Sequence, residues 1–296
     1  MPIDLNDYQG VLLDLDGTVY HEDHALPGAV EVIRRLQREG RAYACLTNST
    51  SSPARLAVRL RRMGVEVDPD HIYTAAAATC DYVLQRFGDP AAAAVIGNVG
   101  HAPHPATPPP HHPATAASPR LPRVFNLSTE GVQEMLDGRV RWVQSAHEAC
   151  DAVICGVPPN VFATEERQRT AMLLLRDRGA VLVGICADRV YPSPRGLEFG
   201  VGAMAAMFAY AADVRPVFCG KPEPLFFHEL CRRLGVRPER CVLVGDNLES
   251  DIAGARGVGM HTVLTLTGVT TRRDADRLPP ELRPGAVIDD LRALLG

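Results

Sequence analysis

The chain has 296 residues, 46% of them hydrophobic and 22% charged, with a formal net charge of −4. This balance suits a globular protein with a sizeable core and gives no footing for a nucleic acid or other polyanion as partner. The eight cysteines include no C-x-x-C pair and lie in apolar runs such as AYACL and CVLVG, so they read as small buried hydrophobes of a reducing compartment.

The opening MPIDLNDYQG carries acids where a secretory leader has a basic and then an apolar region. YQGVLLDLD predicts a first strand that closes on Asp14 and Asp16. PGAVEVIRRLQREG predicts a helix with Val30, Ile33, Leu36 and Gln37 on one face and Gly40 as its C-terminal cap. RAYACLTN is the second strand. SSPARLAVRLRRMG is a helix capped by Ser52, begun by Pro53 and stopped by Gly64, with Leu56, Leu60 and Met63 on its inner face. Its arginines, Arg59, Arg61 and Arg62, read as the solvated face of that helix and not as a nucleic-acid patch.

TAAAATCDYVLQRFG predicts a helix and AAAAVIGN a strand. Residues 99–123 are rich in Pro, Ala and His, and each proline removes a backbone donor, so an irregular surface insertion is expected. Its histidines, His101, His104, His111 and His112, have no recurring ligand spacing. Order is expected to resume at GVQEMLDGRVRWVQ, followed by the strand DAVICGV, the helix TEERQRTAMLLLRDRG and the strand AVLVGIC. VGAMAAMFAYAA predicts a helix too short to span a bilayer. PVFCG is a short strand, EPLFFHELCRRLG a helix, CVLVGD a strand, ESDIAGARGVG a helix and MHTVLTLTG a strand, before a last short strand and helix in AVIDDLRALLG. The alternation predicts an α/β fold with a mainly parallel sheet, in a soluble cytoplasmic protein without membrane partners.

In such a sheet, ligands gather at the carboxyl ends of the strands. Four strand ends here are polar: DLDGT (14–18), LTN (46–48), GKP (220–222) and GDNLESD (245–251). Each alone has a plain structural reading as turn chemistry, a helix cap or a first-turn acid. Together they bring Asp14, Asp16, Asp246 and Asp251 to one rim, where like charges repel unless a cation lies between them. Oxygen donors with little histidine suit Mg²⁺. Lys221 and Thr47 add a positive charge and a hydroxyl donor, and Gly17 lets the backbone approach with loop N–H groups aimed at a phosphoryl group. The site therefore reads as one for phosphoryl transfer.

The set DLDGT, a strand ending in Thr, GKP and GDNLESD resembles the haloacid dehalogenase superfamily of phosphatases. The longer stretches DGTVYHEDHALPGA, LTNSTSS, GKPEPLFF and GDNLESDIAGA resemble its NagD-type and p-nitrophenylphosphatase-like branch. The resemblance implies a Rossmann-like parallel-sheet core and roles for the matching positions. Asp14 would be the nucleophile that forms an aspartyl-phosphate, and Asp16 the general acid and then base. Thr47, Asn48, Gly17 and Lys221 would bind phosphate. Asp14, the carbonyl of Asp16 and Asp246 would hold Mg²⁺, with Asp251 and Asn247 supporting them. Phosphomutases share the D-x-D pattern, so a phosphotransferase or mutase stays open, as does a regulatory module that binds metal and phosphate without turnover.

About thirty residues separate Asp16 from Thr47, and about 170 separate Thr47 from Lys221. The second interval exceeds what core units need, so an α/β cap is expected there, of the kind the family calls C2. The expected division is a core of 1–75 and 187–296 and a cap of 76–186. Hinges are expected near Ile72 to Ala76 and Ala187 to Pro194, with Asp188 facing the substrate. The resemblance implies a small phosphorylated metabolite as substrate and a homodimer through the cap.

Overall fold

The computed structural model describes residues 3–88, 120–157, 164–193 and 195–296. The expected strand AAAAVIGN and residues 99–119 of the Pro/His/Ala-rich insertion, with its histidines, lie outside the described residues. In chain order the strands are β1 (Gly10–Asp14), β2 (Tyr20–His21), β3 (His24–Ala25), β4 (Ala42–Thr47), β5 (Ile72–Thr74), β6 (Arg123–Leu127), β7 (Arg141–Trp142) and β8 (Ala152–Cys155). They continue with β9 (Val181–Gly184), β10 (Val190–Ser193), β11 (Gly196–Phe199), β12 (Val217–Phe218), β13 (Cys241–Gly245), β14 (His261–Thr265) and β15 (Ala286–Ile288).

The chain folds into two compact units, Met1–Ala78 with Cys219–Gly296, and Thr79–Phe218. The first is built on a parallel sheet of order β15-β14-β13-β1-β4-β5. A strand covered on both faces needs a near-continuous apolar run, which is what Val11, Leu12 and Leu13 supply; all are fully buried. The helix Ala29–Arg38 buries Ala29, Val32, Ile33 and Leu36, while Val30 packs only at the margin of the core. The helix Pro53–Arg62 begins as its sequence implies: the Ser52 hydroxyl accepts from the Arg55 N–H, and Leu56, Ala57 and Leu60 turn inward. Near the hinge expected at Ile72 to Ala76, Ile72–Thr74 forms the buried edge strand β5, in register with Cys45–Thr47, and the first unit runs on to Ala78.

The second unit has its own parallel sheet, β12-β9-β8-β6-β7, and its own core around Phe125, Leu174, Leu182 and Phe208. β6 begins at Arg123, where the insertion was expected to end, because Val124, Phe125 and Leu127 are apolar enough to sit at the sheet's centre. The sequence reading returned the chain to the first unit near residue 187. The structure keeps it in the second unit to Phe218: helix Val201–Ala212 buries Ala205, Phe208 and Ala212 in that core, and β12 pairs with β9. β10 and β11 pair antiparallel, Val190 opposite Phe199 and Ser193 opposite Gly196. Asp151, immediately before β8, accepts five hydrogen bonds from Arg120 and Arg123, which tie β6 to β8. Burial pushes the Asp151 carboxyl up, but those guanidinium bonds more than offset it and hold the pKa at about 2.

Among the described residues, no helix is long and apolar enough to cross a membrane.

Candidate active site

The central strands of the first unit carry the site. Asp14 is the last residue of β1 and is buried, whereas Asp16, two residues on, is exposed. Between them and the helix lies the small hairpin β2–β3. Lys221 stands in the turn before the helix Pro224–Leu234, and its Nζ donates to Asp14 Oδ1 at 2.5 Å and to Asp251 Oδ1 at 2.6 Å. Asp246 follows β13, and one of its oxygens, Oδ2, accepts from the Val269 N–H at 2.7 Å. Asp251 lies in a widened, π-type turn, Leu248–Ala253, where a plain helix was expected. Its Oδ2 accepts from the Asn247 N–H at 3.1 Å, and the Asn247 side chain caps that turn through the Glu249 and Ser250 N–H groups.

The structure thus brings Asp14, Lys221, Asp246 and Asp251 together, with Gly17 against them. Two of the residues expected at the phosphate make hydrogen bonds within the protein. The Gly17 N–H donates to the Tyr20 carbonyl at 2.8 Å, so this glycine contributes space and not a donor: at φ +83°, a Cβ there would lie 2.6 Å from Asp246 Oδ2. The Asn48 side chain pairs with the main chain of Lys221. Thr47, last in β4, accepts the Ser49 N–H at 3.1 Å on its hydroxyl, which leaves that hydroxyl's hydrogen to donate elsewhere. Asp188 belongs to the second unit, where its carbonyl accepts from the Gly202 N–H.

Residues 11–103 match the family model described as haloacid dehalogenase-like hydrolase, and residues 218–294 match one described as HAD-hydrolase-like. Those two segments carry all the polar strand ends. The chain belongs to the haloacid dehalogenase-like hydrolases. It is 28% identical to the 5'-nucleotidase YutF of Bacillus subtilis over 90% of each chain. It is 29% identical to the acid sugar phosphatase of Staphylococcus epidermidis over 92% of this chain and 93% of that one. Among solved structures, the 4-nitrophenylphosphatase of Thermotoga maritima superposes with a TM-score of 0.78 at 27% identity, over 98% of this chain and 97% of that one. The glycerol phosphate phosphatase of Mycobacterium tuberculosis, in complex with magnesium, gives 0.76 at 26% identity over 97% and 76%. Within the superfamily the chain falls in the NagD and nitrophenylphosphatase branch, and it is a phosphatase of that branch.

In this haloacid dehalogenase-like hydrolase, the site's electrostatics follow from its burial. Ligand oxygens of Asp14, Asp246 and Asp251 lie within 4.8 Å of one another, and Lys221 is the cation seated between two of these carboxylates. Burial, reinforced by Asp251, pushes the Asp14 carboxyl well above the ordinary range against the pull of Lys221. Burial likewise raises Asp246. Burial pulls the Lys221 ammonium down, but Asp14 and Asp251 more than offset it and hold its pKa above the usual lysine value. Three carboxylates against one ammonium leave an excess of negative charge, and all the acidic donors are oxygen. That donor set fits a hard divalent cation.

Sequence reasoning missed the loop after β14. The Thr267 hydroxyl donates to the Gly17 carbonyl at 2.6 Å, and a Cβ on Gly268 would lie 2.0 Å from Asp246 Oδ2. It also missed Thr18, whose hydroxyl reaches Asp14 Oδ2 at 3.4 Å. The signal was present in TLTGV, a further polar strand end beside β13.

Proposed function

We propose that this chain is a Mg²⁺-dependent phosphatase that hydrolyses small phosphomonoesters through an aspartyl-phosphate on Asp14. The observation that carries the reading is the contrast within D-x-D. Asp14 is buried and bound to the Lys221 ammonium at 2.5 Å, while Asp16 is exposed and free to exchange protons with substrate and water.

The steps follow from that placement. An oxygen of Asp14 attacks phosphorus, and the bond from phosphorus to the ester oxygen breaks. The Asp16 carboxyl gives its proton to the departing alkoxide. Water then attacks the aspartyl-phosphate, Asp16 takes the proton from that water, and inorganic phosphate leaves with Asp14 restored. Lys221 offsets charge on Asp14 and on the phosphoryl oxygens, and the Thr47 hydroxyl donates to one of those oxygens. Asp14, Asp246 and the Asp16 carbonyl would hold Mg²⁺, which would supply positive charge beside the phosphoryl group. Asp251 steadies Lys221.

The second unit is the cap on this reading, and Asp188 its candidate for substrate selection. The substrates belong to the range named by its relatives: nucleotides, sugar phosphates, glycerol phosphate and nitrophenyl phosphate. A homodimer in the cytoplasm completes the proposal.

The test is a single-turnover reaction quenched in acid and analysed by peptide mass spectrometry. A phosphoryl adduct on the peptide that carries Asp14, absent in Asp14→Asn protein, is the expected result. Sustained turnover with no adduct under rapid quench refutes the covalent route.

A further inference from the structure

Asn48 follows Thr47 at the end of β4. Its Oδ1 accepts from the Lys221 N–H at 2.8 Å, and its Nδ2 donates to the Lys221 carbonyl at 3.0 Å. One side-chain amide therefore pairs with one residue's main chain in both directions, across 173 positions of sequence. A single hydrogen bond fixes a distance and leaves rotation free; two opposed bonds fix orientation as well. Lysine needs that constraint. Its stem has four flexible carbons, and its ammonium has no fork to orient it. Here Nζ must stand between Asp14 Oδ1 and Asp251 Oδ1, at 2.5 and 2.6 Å. Asp251 and Asp14 grip the tip, and Asn48 grips the root.

We infer that Asn48 is a positioning residue: it holds the main chain of Lys221 so that the ammonium stays between Asp14 and Asp251, and it acts on phosphoryl transfer through Lys221. The inference rests on the proposed phosphatase reading. It concerns the amide oxygen and the one amide hydrogen that these two bonds engage.

A double-mutant cycle tests it, with wild-type, Asn48→Ala, Lys221→Met and the double variant assayed on p-nitrophenyl phosphate. Asn48→Ala is expected to lower kcat by about 10- to 100-fold, the usual consequence of a misplaced catalytic group. The Mg²⁺ concentration for half-maximal rate should stay within about twofold, because Asp14 and Asp246 are untouched. In the Lys221→Met background, removing Asn48 should cost no more than about threefold further, since its partner's function is already gone. The cycle is read in kcat and in orthovanadate affinity, so it remains legible where Lys221→Met turns over too slowly to follow. Asn48→Asp keeps the acceptor and loses the donor, and replaces the alanine variant in the cycle should that protein not fold. Equal fold-losses in both backgrounds, or an Asn48→Ala enzyme as fast as wild-type, overturn the inference. A wild-type enzyme that releases no phosphate would instead overturn the phosphatase reading itself.

Discussion

Asp251→Asn isolates what a buried carboxylate contributes to this fold. The wild-type side chain is fully buried and accepts with both oxygens, from Lys221 Nζ at 2.6 Å and from the Asn247 N–H at 3.1 Å. Asparagine is nearly the same size but has one acceptor oxygen. Whichever way its amide turns, an NH₂ group faces a donor. Crowding bars escape, since a Cβ on neighbouring Gly245 would already lie 2.5 Å from Asp251 Oδ2. A hydrogen bond to a charged group contributes about 1.5–3 kcal/mol, and breaking a buried ion pair costs about 3–5 kcal/mol. Lys221 keeps Asp14 as a partner, which places the expected loss at about 2–4 kcal/mol, or a fall of roughly 5–15 °C in Tm. Calorimetry of the two proteins at neutral pH reads this directly. Asp289→Asn is the control, because its pair with Arg272 is exposed on both sides, at 85% and 55%, and should change stability by no more than about 0.5 kcal/mol. An Asp251→Asn protein as stable as that control would refute the reasoning.

Three further outcomes are expected. Gly268→Ala places a Cβ 2.0 Å from Asp246 Oδ2 without backbone strain, so displacement of Asp246 should lower activity by about 100-fold and raise the Mg²⁺ requirement, as a metal titration would report. Phe226→Ala removes a fully buried ring that packs 5.0 Å from Tyr73 and 5.6 Å from Phe227, and should cost about 3–5 kcal/mol in urea unfolding. Asp151 has a folded pKa depressed to about 2, so its contribution is complete above the unfolded value near ~3.9 and is lost as pH falls through about 2. Wild-type should therefore exceed Asp151→Asn by about 1–2 kcal/mol at pH ~6, after allowance for solvent around the half-exposed Arg120, and the gap should close near pH ~2. A gap that does not change with pH would show that the Asp151 charge is not what ties β6 to β8.

The site was legible because its residues interrupt apolar strands. Val11 to Leu13 can be nothing but buried, and an acid at the end of such a run points to a ligand rim. Chemistry that depends on distant partners was not legible. Nothing in LTN shows that Asn48 grips Lys221, and nothing in DGT shows that the Gly17 N–H closes on Tyr20. Strands of two residues, as in β2 and β3, are too short for periodicity to register. The helix Val201–Ala212 was predicted as a helix but assigned to the wrong unit. A uniformly apolar helix reveals that it is buried and not which sheet it covers, and here Phe208 and Ala205 choose the sheet that holds β9.

The most direct test of the central claim is release of inorganic phosphate from a panel of phosphomonoesters, with Mg²⁺, with EDTA, and with Asp14→Asn protein prepared in parallel. Release that requires the metal and vanishes in Asp14→Asn is the predicted result. Release that persists in EDTA or in Asp14→Asn, or none at all from folded wild-type protein, would contradict the account.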